Sequence, residues 1–373
     1  MPVNRVLFVE LLGGIGDLIF ALPSIDALQR TYPSATLDVL TFAPSGELLI
    51  GDPRVHEVFF ARRGHGDAAE SILQQDVSAV LRTYPYDLIV SDTRHSGLHE
   101  LIEGTRAPRK VTQLWSGAGV DEPISDLFVR RLREEGIVDA QVAALPIKVY
   151  LSEDERGAAA AIWSSLDVAR ERVVVLNPHS GAAVKRWPVD YFAILGQALA
   201  ADGWTIAVLA ADGPELAWQI ATLIPDARFI PKMSLRLTAA CLEGAGLVVS
   251  ADSGVGHLAS AVGTPVLAIY GPTWAGRYGV AAPSLNLQSP FDCPERQPMN
   301  FTVQRCWFSG QCVFPGKTNC CEDVTPSAAL AAARELLADG PHSLPLSIGD
   351  GEGSRTFSPL NLRWRGAGGE ARA

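Results

Sequence analysis

LVVSADSGVGHLASAVGTPVLAIYGPT, residues 247–273, decides the fold. Two apolar runs, LVVSA and PVLAIY, flank an Ala- and Gly-rich stretch that reads as helix, and each run ends in turn residues. The first run is a buried strand ending in Asp252-Ser253-Gly254, with a helix starting at once and His257 in its first turn. The same unit recurs on both sides. RVVVLNPHSG, WTIAVLAADG and RFIPKMS are further strands entering turns, and SEDERGAAAAIWSSL is a helix that opens the series near Leu151.

The first half alternates in the same way. RVLFVE, TLDVLTF, VHEVFF, YDLIVSD and RKVTQL read as strands, separated by amphipathic stretches such as LIFALPSIDALQRTY and DAAESILQQDVSAVLRTY. Strand-helix alternation marks a parallel α/β sheet. Two successive doubly wound units predict two Rossmann-like domains, residues 1–150 and 151–340, facing each other across a cleft. Ligands in such sheets bind beyond the carboxyl ends of the strands. Residues 341–373 are Gly- and Arg-rich and read as a loose tail.

Composition narrows the function. The 373 residues are 47% hydrophobic and 19% charged, with a net charge of −10, so the chain is globular and ill suited to nucleic acid or an anionic membrane. Arg62-Arg63, the cluster from Arg106 to Lys110 and Arg130-Arg131-Leu-Arg133 are basic islands whose plain reading is a solvated rim. MPVNRVLFVE enters a strand without the features of a signal peptide, and no apolar run has membrane-spanning length. A cytoplasmic protein with at most peripheral membrane contact is expected.

Three strand ends in the second half carry charge suited to a nucleotide. After LVVSA, the free amides of a helix N-terminus form an anion site to which Ser253, Gly254 and His257 contribute. In VVVLNPHSGAAVKRWP, Lys185 precedes a helix starting at Pro188 and faces the same place, where it can stabilise charge on a leaving group. In VLAADGPE, Glu215 stands where acidic residues accept ribose hydroxyls. Each has a plainer reading: a helix cap at Asp252 or Ser253, a packed His257, a surface lysine, a glutamate complementing a helix dipole.

The series KRWP, GPE, PKMSL, VVSADSGVGHLASA and YGPT resembles glycosyltransferase family 9, whose best-known members are the ADP-heptose:lipopolysaccharide heptosyltransferases. The resemblance spans about residues 5–335. It implies the GT-B fold, with an acceptor-side N-terminal domain and a nucleotide-sugar-binding C-terminal domain. The implied reaction is metal-independent, inverting transfer of a sugar, heptose from ADP-heptose, onto a lipopolysaccharide-type glycan or another acceptor hydroxyl. It further implies that Lys185 and the Ser253-Gly254 amides hold the diphosphate, that Glu215 takes the ribose and that Met233 presents its backbone to adenine. His257 would support the phosphate end, and Asp252 would sit by the donor sugar or brace the loop.

The resemblance also gives a role to LLGGIGDLIFALPS, residues 11–24. Asp17 would be the general base that takes the acceptor's proton; its plainer reading is the cap of a helix beginning at Leu18. The loop is longer in glycine than is usual in the lipopolysaccharide enzymes, which leaves the acceptor more open than the donor.

Five of the six cysteines, Cys293, Cys306, Cys312, Cys320 and Cys321, crowd into one segment. They offer a structural zinc or iron site, although no C-x-x-C knuckle is present. An iron-binding branch of the resembled family carries cysteines in this region. Catalysis itself is expected to need no cofactor. Two rival enzyme classes fit parts of the sequence. Gly14-Ile15-Gly16 with Asp38 beyond it is a partial NAD fingerprint of an oxidoreductase, lacking its third glycine at Ile19. A GT-B nucleotide-sugar epimerase is the other. A nucleotide-binding module without catalysis is the non-enzyme alternative.

Overall fold

The computed structural model describes residues 2–64, 68–142 and 145–339. Five parallel strands form the first sheet: β1 (Arg5–Val9), β2 (Thr36–Phe42), β3 (Glu57–Ala61), β4 (Leu88–Ser91) and β5 (Arg109–Val111). Their spatial order is β3-β2-β1-β4-β5. Around them lie α1 (Ile15–Thr31), α2 (Ala69–Thr83), α3 (Leu98–Glu103) and α4 (Ile124–Glu134). The period-2 rule divides the core cleanly. Val6 and Phe8 of β1 pack with Leu18, Leu22 and Ile25 of α1 and Leu127 and Phe128 of α4. Leu7 and Val9 pack on the opposite face with Leu73 and Val77 of α2 and Leu98 and Ile102 of α3.

The second sheet has six parallel strands: β6 (Val173–Asn177), β7 (Thr205–Leu209), β8 (Arg228–Ile230), β9 (Leu247–Ala251), β10 (Val266–Tyr270) and β11 (Ser284–Gln288). Its order is β11-β10-β9-β6-β7-β8. On its inner face lie α5 (Glu153–Ser165), α8 (Leu235–Leu242) and α9 (Gly254–Ala261). α6 (Val189–Ala201), α7 (Pro214–Leu223) and α12 (Pro326–Asp339) cover the outer face. Of two short helices, α10 (Ala275–Tyr278) follows β10 and α11 (Arg305–Ser309) lies within the cysteine-bearing segment. α5 begins as its sequence demands: Ser152 accepts the Glu155 N–H while Glu155 accepts the Ser152 N–H, a reciprocal capping box.

Both sheets have the doubly wound order, so each has a crevice where the connections part, at β1/β4 in the first and β6/β9 in the second. The two inner faces share one apolar cluster, which runs from α1 and α4 into α8 and α9. At that seam Gly254 is needed for close approach. A Cβ there would stand 2.6 Å from Ile15 Cβ and 3.2 Å from Gly16 N, so the N-termini of α1 and α9 meet backbone to backbone.

Three boundaries differ from the sequence expectation. β11 was not foreseen, because SLNLQ is a half-buried edge strand with only two leucines in alternation. α1 starts at Ile15, one turn before Leu18, and α6 starts at Val189 with Pro188 as its cap. The expected tail, residues 341–373, lies outside the described residues. Among the described residues no helix is long and apolar enough to cross a membrane.

Candidate active site at two facing crevices

The loop after β1 is shaped by a residue that sequence reading did not single out. Glu10, fully buried, accepts the Leu12 and Gly13 N–H groups, each at 3.0 Å, on one carboxylate oxygen. The other oxygen accepts the Thr41 hydroxyl at 2.7 Å. Gly13 follows with φ +90°, a left-handed conformation that costs a side-chain-bearing residue dearly. Gly14 then donates its N–H to Asp17 Oδ2 at 3.0 Å, and a Cβ on Gly14 would stand 2.5 Å from that oxygen.

Asp17 therefore lies inside the first turn of α1, holding the N-cap amide from within the helix. It is not the cap of a helix that begins at Leu18. Burial raises its carboxyl above the usual carboxylate range, while the Gly14 N–H and the Lys185 charge pull it back. The Lys185 influence matters, because Lys185 belongs to the other domain.

Behind Asp17, at the end of β4, sits Asp92, 1% exposed. Thr93 donates its hydroxyl to Asp92 Oδ1 at 2.6 Å. Burial and the nearby Glu10 charge push the Asp92 carboxyl far up, and burial also raises Glu10. Glu10 accepts from Leu12, Gly13 and Thr41, which offsets its burial, so of the two acids Asp92 is pushed up further. Both acids end strands that flank the crevice, a position that could have flagged them in the sequence.

Across the cleft, β6 and β9 supply the second group. Lys185, in a single helical turn spanning Ala183–Lys185, places Nζ 3.1 Å from Asp252 Oδ2, with both side chains largely buried. Ser253 caps α9 with extended backbone, and its hydroxyl accepts the Asn177 Nδ2–H at 2.9 Å instead of closing the helix end. Ser180 donates to the Asp252 carbonyl at 2.6 Å. Asn177 and Ser180 thus brace the phosphate-type loop, and neither was singled out in the sequence.

His257 is placed differently from the expectation. Its ring is 6% exposed and packs edge-on against Phe20 of α1, with centroids 4.8 Å apart. Burial lowers its pKa to about 4, so the imidazole is neutral at neutral pH and offers one N–H, not a positive charge. Gly254 and Gly256 are packed where side chains of their own would stand. The space at Gly254 is filled by Ile15, and that at Gly256 by Ser250 and Val280.

Glu215 lies exposed in the first turn of α7, folded over Gly213. Its neighbour is His179, a buried imidazole after β6 whose pKa is lowered by burial against the raising pull of Asp212 and Glu215. Met233 is half-buried between β8 and α8. The structure therefore brings Asp17, Lys185, Asp252, Ser253 and His257 to one cleft, with Glu215 and Met233 further along the second sheet's carboxyl edge.

The partial NAD fingerprint is not a dinucleotide site. Asp38 lies inside β2, fully buried, paired with Arg5 at 2.7 Å and His56 at 3.1 Å. Arg5 starts β1, so Asp38 belongs to the far half of the strand, away from the loop that a dinucleotide would use. Ile19, at the missing glycine, is core. Of the basic islands, Arg62 pairs with Asp76, Arg130 with Glu122 and Glu134, and Arg131 with Glu134 and Glu135.

The cysteine set separates. Cys293, Cys306, Cys312 and Cys320 line one small cavity of about 20 Å³, whereas Cys321 points away with Sγ 3.7 Å from the Val184 carbonyl oxygen. Burial raises the Cys320 thiol to about 12, and burial with the neighbouring Cys293 and Cys312 thiols raises Cys306. Among the described residues, the group of three or more candidate ligands with donor atoms all within 4.8 Å is Asp38, His56 and Glu57, and there Asp38 is already held by Arg5.

The model of glycosyltransferase family 9 (heptosyltransferase) matches residues 120–298. Lipopolysaccharide heptosyltransferase 1 of Pseudomonas aeruginosa is 26% identical over 312 residues, covering 78% of this chain and 85% of that protein. A crystal structure of a family 9 glycosyltransferase from Veillonella parvula superposes with a TM-score of 0.76 at 17% identity, covering 91% and 98% of the two chains. TibC of enterotoxigenic Escherichia coli is described as a dodecameric iron-containing heptosyltransferase. Its complex with ADP-D-β-D-heptose superposes with a TM-score of 0.53 at 14% identity, covering 91% of this chain and 77% of that one. The fold is that of these enzymes, GT-B. With its two doubly wound sheets and paired crevices, this chain is a glycosyltransferase similar to family 9, whose model it matches over residues 120–298.

Proposed function

We propose that the chain transfers heptose from ADP-heptose to a hydroxyl of a lipopolysaccharide-type acceptor, by a single displacement that inverts the anomeric carbon. The observation that carries this reading is the meeting of Asp17, from the crevice of the first sheet, with the Lys185–Asp252 pair and Ser253 at the crevice of the second. A base and a phosphate-binding cation from opposite walls are what a displacement at a sugar carbon requires. The acceptor oxygen loses its proton to the Asp17 carboxylate and bonds to the anomeric carbon. The bond from that carbon to the diphosphate oxygen breaks, and ADP leaves with the electron pair. Lys185 and the amides at the start of α9 meet the charge that develops there. Burial of Asp17 makes it the stronger base, and a neutral His257 leaves the positive charge of the site to Lys185.

In the same proposal Glu215 accepts the ribose hydroxyls and Met233 offers its backbone to adenine. Residues 1–150 then form the acceptor-side domain and 151–340 the donor-side domain. A donor made from a cytoplasmic nucleotide gives the reaction its compartment. None of these steps needs a metal. Cys293, Cys306, Cys312 and Cys320 offer the thiol chemistry of a structural zinc or iron site, but no three of their sulfurs lie within 4.8 Å of one another, so an ion would have to draw them together. Such an ion would tie the loop together.

The test is a thermal-shift series with ADP, UDP, GDP and NAD, followed by transfer assays with ADP-heptose. A ligand at one hundred times its Kd stabilises by about 2.7 kcal/mol. ADP alone should reach this. Stabilisation by NAD or UDP with none by ADP would overturn the reading.

A further inference from the structure

We propose that Phe301 and Trp307, carried by the cysteine-bearing loop, are positioning residues that fix the Lys185 ammonium in the cleft. The inference rests on the donor reading above only for its ADP readout. Lys185 Nζ stands 4.3 Å from the centre of the Phe301 ring and 5.2 Å from that of Trp307. The two rings meet edge to face, with centroids 4.9 Å apart. Tyr278 packs edge to face on Phe301 from the other side at 5.0 Å and donates its hydroxyl to the Met299 carbonyl at 3.0 Å.

The loop that carries these rings is fastened to the backbone on both sides of the lysine. Asn319 Nδ2 donates to the Arg186 carbonyl at 3.1 Å, and Cys321 Sγ reaches the Val184 carbonyl. Trp187 Nε1 donates to the Val324 carbonyl at 2.8 Å, and Gln304 Nε2 to the Pro272 carbonyl at 3.3 Å. Lysine turn and aromatic loop therefore move as one piece.

A lysine ammonium on four methylenes is a mobile, strongly hydrated charge. Here one direction is taken by Asp252 and another by the electron-rich faces of two rings, which attract the cation and exclude water from that side. The rotamers are restricted before any ligand arrives, and the charge acts through a poorer dielectric. A diphosphate meets a cation already aimed.

Three readouts test this. ADP affinity is measured by calorimetry for Phe301→Leu and Trp307→Leu, alone and combined with Lys185→Ala. Phe301→Tyr, which keeps a ring face, is the rescue. The ligand-free proteins are also treated with acetic anhydride, and acylation of Lys185 is read against the exposed Lys232 of the same chain.

Each leucine variant should raise the ADP Kd about 3- to 10-fold, with no further rise in the Lys185→Ala background. Phe301→Tyr should stay within about twofold of the parent, and Phe301→Leu should acylate Lys185 several-fold faster. Losses that persist undiminished without Lys185, or unchanged affinity together with unchanged acylation, would overturn the proposal. If the parent protein binds no ADP while Phe301→Leu still exposes Lys185, the positioning stands and the donor reading falls.

Discussion

Replacing Asp17 with asparagine separates chemistry from architecture. Asparagine keeps an acceptor oxygen for the Gly14 N–H, which is 3.0 Å from Oδ2, so the loop and the first turn of α1 should persist. Stability should change little, because two effects oppose. A carboxylate at a helix N-terminus contributes about 0.3–1 kcal/mol, while removing a desolvated charge returns a comparable amount. What is lost is the base. General-base catalysis is worth roughly 10²–10⁴ in rate, or about 3–5 kcal/mol of barrier. The turnover number should fall by that factor, with ADP affinity within about threefold of the parent, since Lys185 and Ser253 remain.

The pH profile gives a second check on the same variant. Burial raises the Asp17 carboxyl, and only its ionised form accepts a proton. The parent rate should therefore climb with pH through that raised value and then level off, whereas the asparagine variant should lack this acid limb. Steady-state ADP release with acceptor present measures the rate, and calorimetry measures ADP binding. Turnover within about threefold of the parent, with the acid limb intact, would refute the assignment of Asp17 as base.

Two further outcomes follow from the same geometry. Gly14→Ala puts a methyl group 2.5 Å from Asp17 Oδ2, so the carboxylate must swing away; turnover should fall at least tenfold while circular dichroism and ADP affinity hold, as a misplaced base predicts. Glu155, which caps α5, also takes Arg236 Nη2 at 2.7 Å, and Arg236 reaches the Glu47 and Leu48 carbonyls of the first domain. The guanidinium holds the Glu155 carboxyl down at about 2 against 4.5 unpaired. That difference amounts to at most about 3 kcal/mol, present above pH 4.5 and lost as pH falls towards 2. Glu155→Gln should lower the urea midpoint at pH 7 and converge on the parent as pH falls to about 2.

The fold was legible because its strands are buried on both faces. RVLFVE and LVVSADSG each combine an uninterrupted apolar run with a turn, TLDVLTF is apolar but for Asp38 and the threonines, and each became a strand. SLNLQ escaped because an edge strand needs only one covered face, and two leucines in five residues leave no run to see. The candidate site was legible in sequence where charge type and strand-end position coincide, as at Asp17, Lys185 and Asp252, which the structure places at the two crevices. It was illegible where a residue acts on its neighbours' backbone. Glu10 looks like the last residue of a strand, yet three donors converge on it to set the loop that aims Asp17.

His257 marks the opposite failure, a residue type that invites a ligand role. Its motif position suits phosphate, but burial against Phe20 strips its charge and turns it into a wedge between α1 and α9. Gly254 follows the same logic, its missing side chain serving the meeting of two helices. These two residues make the seam between the domains part of the catalytic geometry. The proposed base stands on α1 and the proposed diphosphate loop opens α9, so whatever fixes these helices against each other would set the distance between proton acceptor and leaving group. A glycosyl transfer needs that distance to fit one sugar, and here it is held by packing between the two domains as much as by residues that face the cleft.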